Sequence, residues 1–76
     1  MPHVVVKLFP GRSDAQKARL AEAITRAVMV EAKCEEDAVS VGIEDVAPED
    51  WDATVFEPEI KGKAKTLFKK PGYGLD

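Results

Sequence analysis

Apolar and polar residues alternate at the head of the chain. In "HVVVKLF" Val4, Val6 and Leu8 fall on one side of an extended backbone, and His3, Val5 and Lys7 fall on the other. This two-residue period, rich in β-branched side chains, predicts a strand over His3 to Leu8. "FPGR" breaks it at Pro10 and Gly11. The period then lengthens: Ala21, Ile24, Val28 and Ala32, with Leu20 and Ala27 beside them, recur at helical spacing. Ser13 followed by Gln16 makes a capping box, with Asp14 in the first turn, so the helix is expected from Asp14 to about Ala32. After the polar turn "KCEED" the alternation returns. Val39, Val41 and Ile43 interleave with Ser40, Gly42 and Glu44, predicting a second strand from Ala38 to Val46. "VAPEDWDA" leaves this strand through a turn. Pro58 suits the first position of a second helix, whose apolar side is Ile60, Ala64, Leu67 and Phe68. Pro71 and Gly72 end that helix, and "GYGLD" reads as an irregular tail.

The predicted order is therefore β-α-β-α, an α/β (α+β) protomer. Two strands joined by a helix of this length form a parallel unit with a right-handed crossover. A two-stranded parallel sheet is not viable alone. The chain is a single domain over residues 1–76, and a domain this small buries only about 60% of its unfolded surface. Its apolar fraction is ordinary at 45%, and no disulfide supports it. A homo-oligomer is expected to complete the core: a homodimer with a continuous or packed four-stranded sheet, or a higher assembly built from such dimers, with the longer tail leaning toward the dimer.

Eleven basic and fourteen acidic residues leave a net charge of -3, which argues against a nucleic-acid footprint. The one basic cluster, Lys61, Lys63, Lys65, Lys69 and Lys70, reads as a solvated helix face. Cys34 has no second cysteine to pair with and is expected as a reduced thiol at a helix end. No apolar run reaches the roughly 20 residues of a membrane span, and "MPHVVVKLFP" lacks the apolar region of a signal peptide. The expected compartment is the cytoplasm, and no membrane partner is expected. There is no metal-ligand spacing and no glycine-rich phosphate loop, so no cofactor is expected.

Candidate chemistry begins at Pro2. Proline is tolerated as the first residue of a strand, so its presence alone has a plain structural explanation. It is also small enough for an aminopeptidase to remove Met1, which would leave a free secondary amine. An α-amino group titrates near about 7.7–8.0, and an apolar pocket or a nearby cation lowers that value by disfavouring the charged form. Such an amine would be a general base at neutral pH. Arg12, in "PGRSD", stands at the mouth of a helix N-terminus, where a guanidinium can hold a carboxylate bidentately. Trp51 sits in the acidic stretch "PEDWDA", where a large ring either staples the loop to the core or walls a pocket. His3 points away from Pro2 by strand alternation and is read as a strand residue.

Together these features resemble the 4-oxalocrotonate tautomerase family. The matching residues are Pro2 behind Met1, the strand "HVVVKLF", the segment "GRSDAQK", the strand "VSVGIEDV" and the aromatic Trp51. The C-terminal part, with its "KKPGY" tail, is similar to the dimeric phenylpyruvate-tautomerase-like branch. The resemblance implies a β-α-β tautomerase fold and an isomerase interconverting keto and enol acids. It implies Pro2 as acid–base catalyst, Arg12 as carboxylate binder and Trp51 as pocket aromatic. Hexameric members carry a second arginine where this chain has Ser40, which points away from diacids and toward a monoacid such as phenylpyruvate. Ser40 remains a candidate to hydrogen-bond a substrate oxygen.

Two other readings stay open. Members of the superfamily also hydrate and dehalogenate small acids, which needs a water-activating carboxylate, and Glu44, Asp45, Glu49 and Asp50 are candidates. In the other, the chain is a non-catalytic dimeric binding module and Pro2 only opens a strand.

Overall fold

The computed structural model describes residues 1–75. The chain divides into two compact units, residues 1–46 and residues 47 onward.

The first unit holds strand β1 (His3–Leu8), helix α1 (Asp14–Glu31) and strand β2 (Ser40–Asp45). β1 and β2 pair in parallel, with His3 opposite Ser40, Val4 opposite Val41 and Val6 opposite Ile43. The β-α-β order follows as the periodicity requires. One sheet face carries Val4, Val6, Leu8, Val41 and Ile43, all half-buried. α1 lies on that face: its Lys17 reaches Asp45 Oδ2 at 3.0 Å. The half-buried positions of the helix are Lys17, Ala21, Ile24, Thr25, Val28 and Met29, while Ala27 and Ala32 stay exposed. The stripe is therefore narrower than the sequence suggests on one side and wider on the other, because the sheet beneath it is only two strands across.

The start of the helix is built as the sequence predicts. Ser13 Oγ accepts from the Gln16 N–H at 3.1 Å, and Gln16 Oε1 accepts from the Ser13 N–H at 2.9 Å. At the other end Lys33 adopts a left-handed conformation, with φ 56, and the Cys34 N–H returns to the Met29 carbonyl at 3.2 Å. Cys34 sits just beyond the helix end, half-buried. One 3₁₀ turn, Glu36–Ala38, leads into β2. It claims Ala38 for a turn, so the second strand begins at Ser40 rather than Ala38.

In the second unit the sequence expectation needs correction. A 3₁₀ turn, Pro48–Asp50, is followed by a π-helical segment, Asp52–Lys61, and a single 3₁₀ turn, Ala64–Thr66. Pro58 lies inside the π segment rather than at the start of a helix. In an α-helix its ring would strike the carbonyl four residues earlier, and the wider π turn relieves that contact. The Gly62 N–H donates to the Glu57 carbonyl at 2.8 Å, the five-residue step of such a turn. Trp51, Val55, Ile60 and Ala64, all at least half-buried, step by four, five and four along the chain. Helical threes and fours do not fit these residues, which explains the misplaced start. Among the described residues beyond Thr66 there is no helix, Phe68 is fully exposed, and the basic cluster spans several short elements.

Val55, 5% exposed, is the one buried hydrophobic residue among those described. No helix among the described residues is long and apolar enough to cross a membrane.

Candidate functional site

Pro2 stands one residue before β1. Its carbonyl accepts the Ser40 N–H at 3.1 Å, which ties it to the first rung of the sheet. Pro2 takes part in this pairing only through its carbonyl, so the absent peptide N–H of proline costs nothing here. The residue is half-buried, while Met1 in front of it is 99% exposed.

Ser40 brings a second group to the same rung. Its Oγ lies 2.6 Å from His3 Nδ1, across the parallel register. A single strand read by itself sets His3 aside; the pairing of β1 with β2 places it against a candidate site residue. Nothing in the sequence near His3 announces that partner, which lies 37 positions away.

Arg12 occupies the turn after β1, where Gly11 takes φ 131, a conformation that favours glycine. Its guanidinium donates to the Phe9 carbonyl at 3.2 Å, which anchors it at the β1 exit. A guanidinium has five N–H donors. Among the described residues only the Phe9 carbonyl receives one, so the rest are available to an anion. The position has a consequence for the site. Pro2 heads β1 and the Arg12 guanidinium is fixed beyond its tail, and six strand residues at about 3.3 Å each span about 20 Å. Within one chain these two groups do not meet.

Trp51 lies in the second unit, between the Pro48–Asp50 turn and the π segment. Its indole Nε1–H donates to Tyr73 Oη at 3.1 Å. Tyr73 in turn packs on Phe56, with ring centroids 5.7 Å apart and planes inclined by 32°. The sequence treats "GYGLD" as an irregular tail and misses Tyr73. The available signal was a tyrosine between two glycines, where the backbone can fold back on a ring. Of the four carboxylates considered for water activation, Asp45 is ion-paired with Lys17.

A parallel β-α-β unit headed by a proline, with an arginine in the first turn and an aromatic after the second strand, defines a class that comparison with known proteins identifies. A family model described as "Tautomerase enzyme" matches residues 2–62, and the chain belongs to that family. It is 42% identical over 76 residues to Tautomerase PptA of Cronobacter sakazakii, covering 99% of this chain and 100% of that protein. It is 40% identical over 74 residues to a probable tautomerase of Xylella fastidiosa, covering 97% of this chain and 90% of the other. Among solved structures it is similar to TomN, a 4-oxalocrotonate tautomerase homologue in the tomaymycin biosynthetic pathway. That match has a TM-score of 0.63 and 38% identity, over 66% of this chain and 77% of TomN. It is also similar to YwhB, a homologue of 4-oxalocrotonate tautomerase, with a TM-score of 0.59 and 39% identity over 60% of this chain and 75% of that one. The fold is the β-α-β tautomerase fold.

Proposed function

We propose that the chain is a keto–enol tautomerase acting on small monocarboxylic 2-keto/enol acids of the phenylpyruvate type, with Pro2 as general acid–base after removal of Met1. The observation that carries this reading is the setting of Pro2. It is half-buried and held by its carbonyl at the sheet's first rung, behind a methionine that is 99% exposed and open to an aminopeptidase. Family membership supplies the reaction class.

In the proposed reaction the free Pro2 nitrogen takes the enol hydroxyl proton. The oxygen lone pair forms the C=O bond, and the C=C pair accepts a proton from the Pro2 ammonium. The amine is regenerated and no electrons leave the system. Arg12 binds the carboxylate through its unspent donors and offsets charge that builds on the enolate. Trp51 supplies an aromatic wall that excludes water, and Ser40 offers a hydroxyl in place of a second cation.

The same proposal includes a homo-oligomer, most simply a homodimer. Among the described residues the sheet has two strands, and no further strand pairs with either outer edge. Val5, Phe9 and Val30 remain 43%, 44% and 68% exposed. A second copy set antiparallel along β1 would bring its tail against the head of the first, so Arg12 of the partner subunit would serve Pro2. This removes the 20 Å separation found within one chain. A cytoplasmic setting accompanies the proposal, on the strength of one unpaired cysteine.

The test is ketonisation of phenylenolpyruvate, followed in the ultraviolet, for wild type and Pro2→Ala. We expect wild-type activity and a loss of at least about a hundredfold, the low end of general-base catalysis. Intact-mass spectrometry on the same sample must show the mass without Met1. Equal rates for the two proteins would refute the role of Pro2.

A further inference from the structure

The turn that carries Arg12 runs from Phe9 to Ser13, between β1 and α1, and every residue in it is exposed. A Cβ built at Gly11 would meet nothing within 4 Å, so little packing holds this turn. Bonds at its two ends hold it instead. On the strand side the ladder runs one step past β2, and the Val46 N–H donates to the Leu8 carbonyl at 2.8 Å. On the helix side Ser13 is fixed by the capping box, and the Lys17 N–H donates to the Ser13 carbonyl at 3.0 Å. One contact joins the two sides. Lys17 Nζ lies 3.0 Å from Asp45 Oδ2, and Asp45 stands opposite Leu8 in the register. The path from Leu8 through Val46, Asp45 and Lys17 to Ser13 therefore closes into a ring, with the Arg12 turn as its remaining arc.

An ion pair this accessible adds little to global stability. Its placement gives it another effect. The Arg26–Glu22 pair, four residues apart on α1, constrains nothing beyond its own helix turn. Lys17 and Asp45 are 28 residues apart, so their pair sets the distance between the start of α1 and the end of β2. That distance fixes the anchor points of the Arg12 turn. We propose that Lys17 and Asp45 are positioning residues: their ion pair holds the turn that carries Arg12, so the guanidinium meets an acid without first having to be ordered. This rests on the reading of Arg12 as the carboxylate binder. All the contacts lie within one chain, so the pair acts whichever copy supplies Pro2.

The experiment compares wild type with Lys17→Met, which keeps the stem and removes the charge, and with Asp45→Ala. Isothermal titration calorimetry with phenylpyruvate should give a Kd about two- to tenfold higher in each variant, the cost of ordering one long side chain on binding. The kcat for phenylenolpyruvate should change by less than about twofold, because the turn is ordered again once the acid is bound. In an Arg12→Ala background neither substitution should weaken binding by more than about a further twofold, as expected of groups that act through one another. The proton–nitrogen heteronuclear NOE of the Gly11 and Arg12 amides should fall in both variants and stay unchanged at Val28. If Lys17 bound the acid directly, Asp45→Ala would free its ammonium and tighten binding. That result, an unchanged Kd in the two variants, an unchanged NOE, or no effect of Arg12→Ala on wild-type binding would overturn the proposal, as would a wild type that does not bind the acid. The expected pattern of Kd and NOE without ketonisation would refute the tautomerase reading and leave the positioning pair standing.

Discussion

Gly62→Ala has opposite expected signs from sequence and from structure, so its sign is informative. Gly62 has φ -67 and ψ -24, ordinary right-handed helical values. At such a position alanine usually stabilises by up to about 1 kcal/mol, through helix propensity and a less disordered unfolded chain. The surroundings reverse this. An alanine Cβ would stand 2.7 Å from the Pro58 carbonyl oxygen and 2.9 Å from that of Glu57. Both obstacles are backbone, so neither can rotate away. The Gly62 N–H also donates to Glu57 O at 2.8 Å, and relieving the contact opens that bond. Overpacking costs about 1–3 kcal/mol and the lost hydrogen bond about 1 kcal/mol. Subtracting the gain leaves a net destabilisation of about 1–3 kcal/mol. For a domain of this length each kcal/mol lowers Tm by about 4–8 °C, so a drop of at least about 4 °C is expected. Thermal unfolding by circular dichroism reads it, at matched protein concentrations because subunit association would make Tm concentration-dependent. An unchanged or higher Tm for Gly62→Ala would refute the π-turn crowding argument.

Three further outcomes test the site and its supports. Arg12→Ala should raise KM for phenylenolpyruvate by about tenfold or more, the loss of a charge-assisted hydrogen bond; mixed in equal amounts with Pro2→Ala, it should regain about a quarter of wild-type activity if the site is shared between two copies, and no recovery would place both groups in one chain. Ser13→Ala breaks the capping box and should cost about 1 kcal/mol in urea denaturation, with kcat for the remaining folded enzyme little changed; a neutral result would mean that the bonds to Gln16 carry no net stability. Ser40→Ala removes the oxygen 2.6 Å from His3 Nδ1. Because both residues are exposed, stability should move by less than about 0.5 kcal/mol. A rise in KM for the enol acid without loss of Tm would tie Ser40 to substrate, and unchanged kinetics would remove it.

Much of the first unit is determined by sequence alone. Period-two alternation in "HVVVKL", the Ser13–Gln16 pair and the apolar spacing through Val28 are local signals, and each acts over a few residues. They set β1, α1 and the parallel unit because a strand's faces and a helix's cap depend on near neighbours. Pro2, Arg12 and Trp51 were visible for the same reason: each stands at a boundary between elements, where an unusual residue is conspicuous. What joins distant positions was not legible. His3 meets Ser40 only because the parallel register aligns residues 37 apart. Tyr73 meets Trp51 only because Gly74 lets the tail fold onto Phe56. Pro58 marks a helix start by its usual preference, yet here it lies inside a π turn wide enough to accept its ring. Tertiary structure also separated Pro2 from Arg12 by the length of β1, which the sequence, listing them ten residues apart, could not measure. Propensity reports what a short segment prefers; register, chain reversal and the reach of a strand depend on which segments share space, and that is settled only when the whole chain packs.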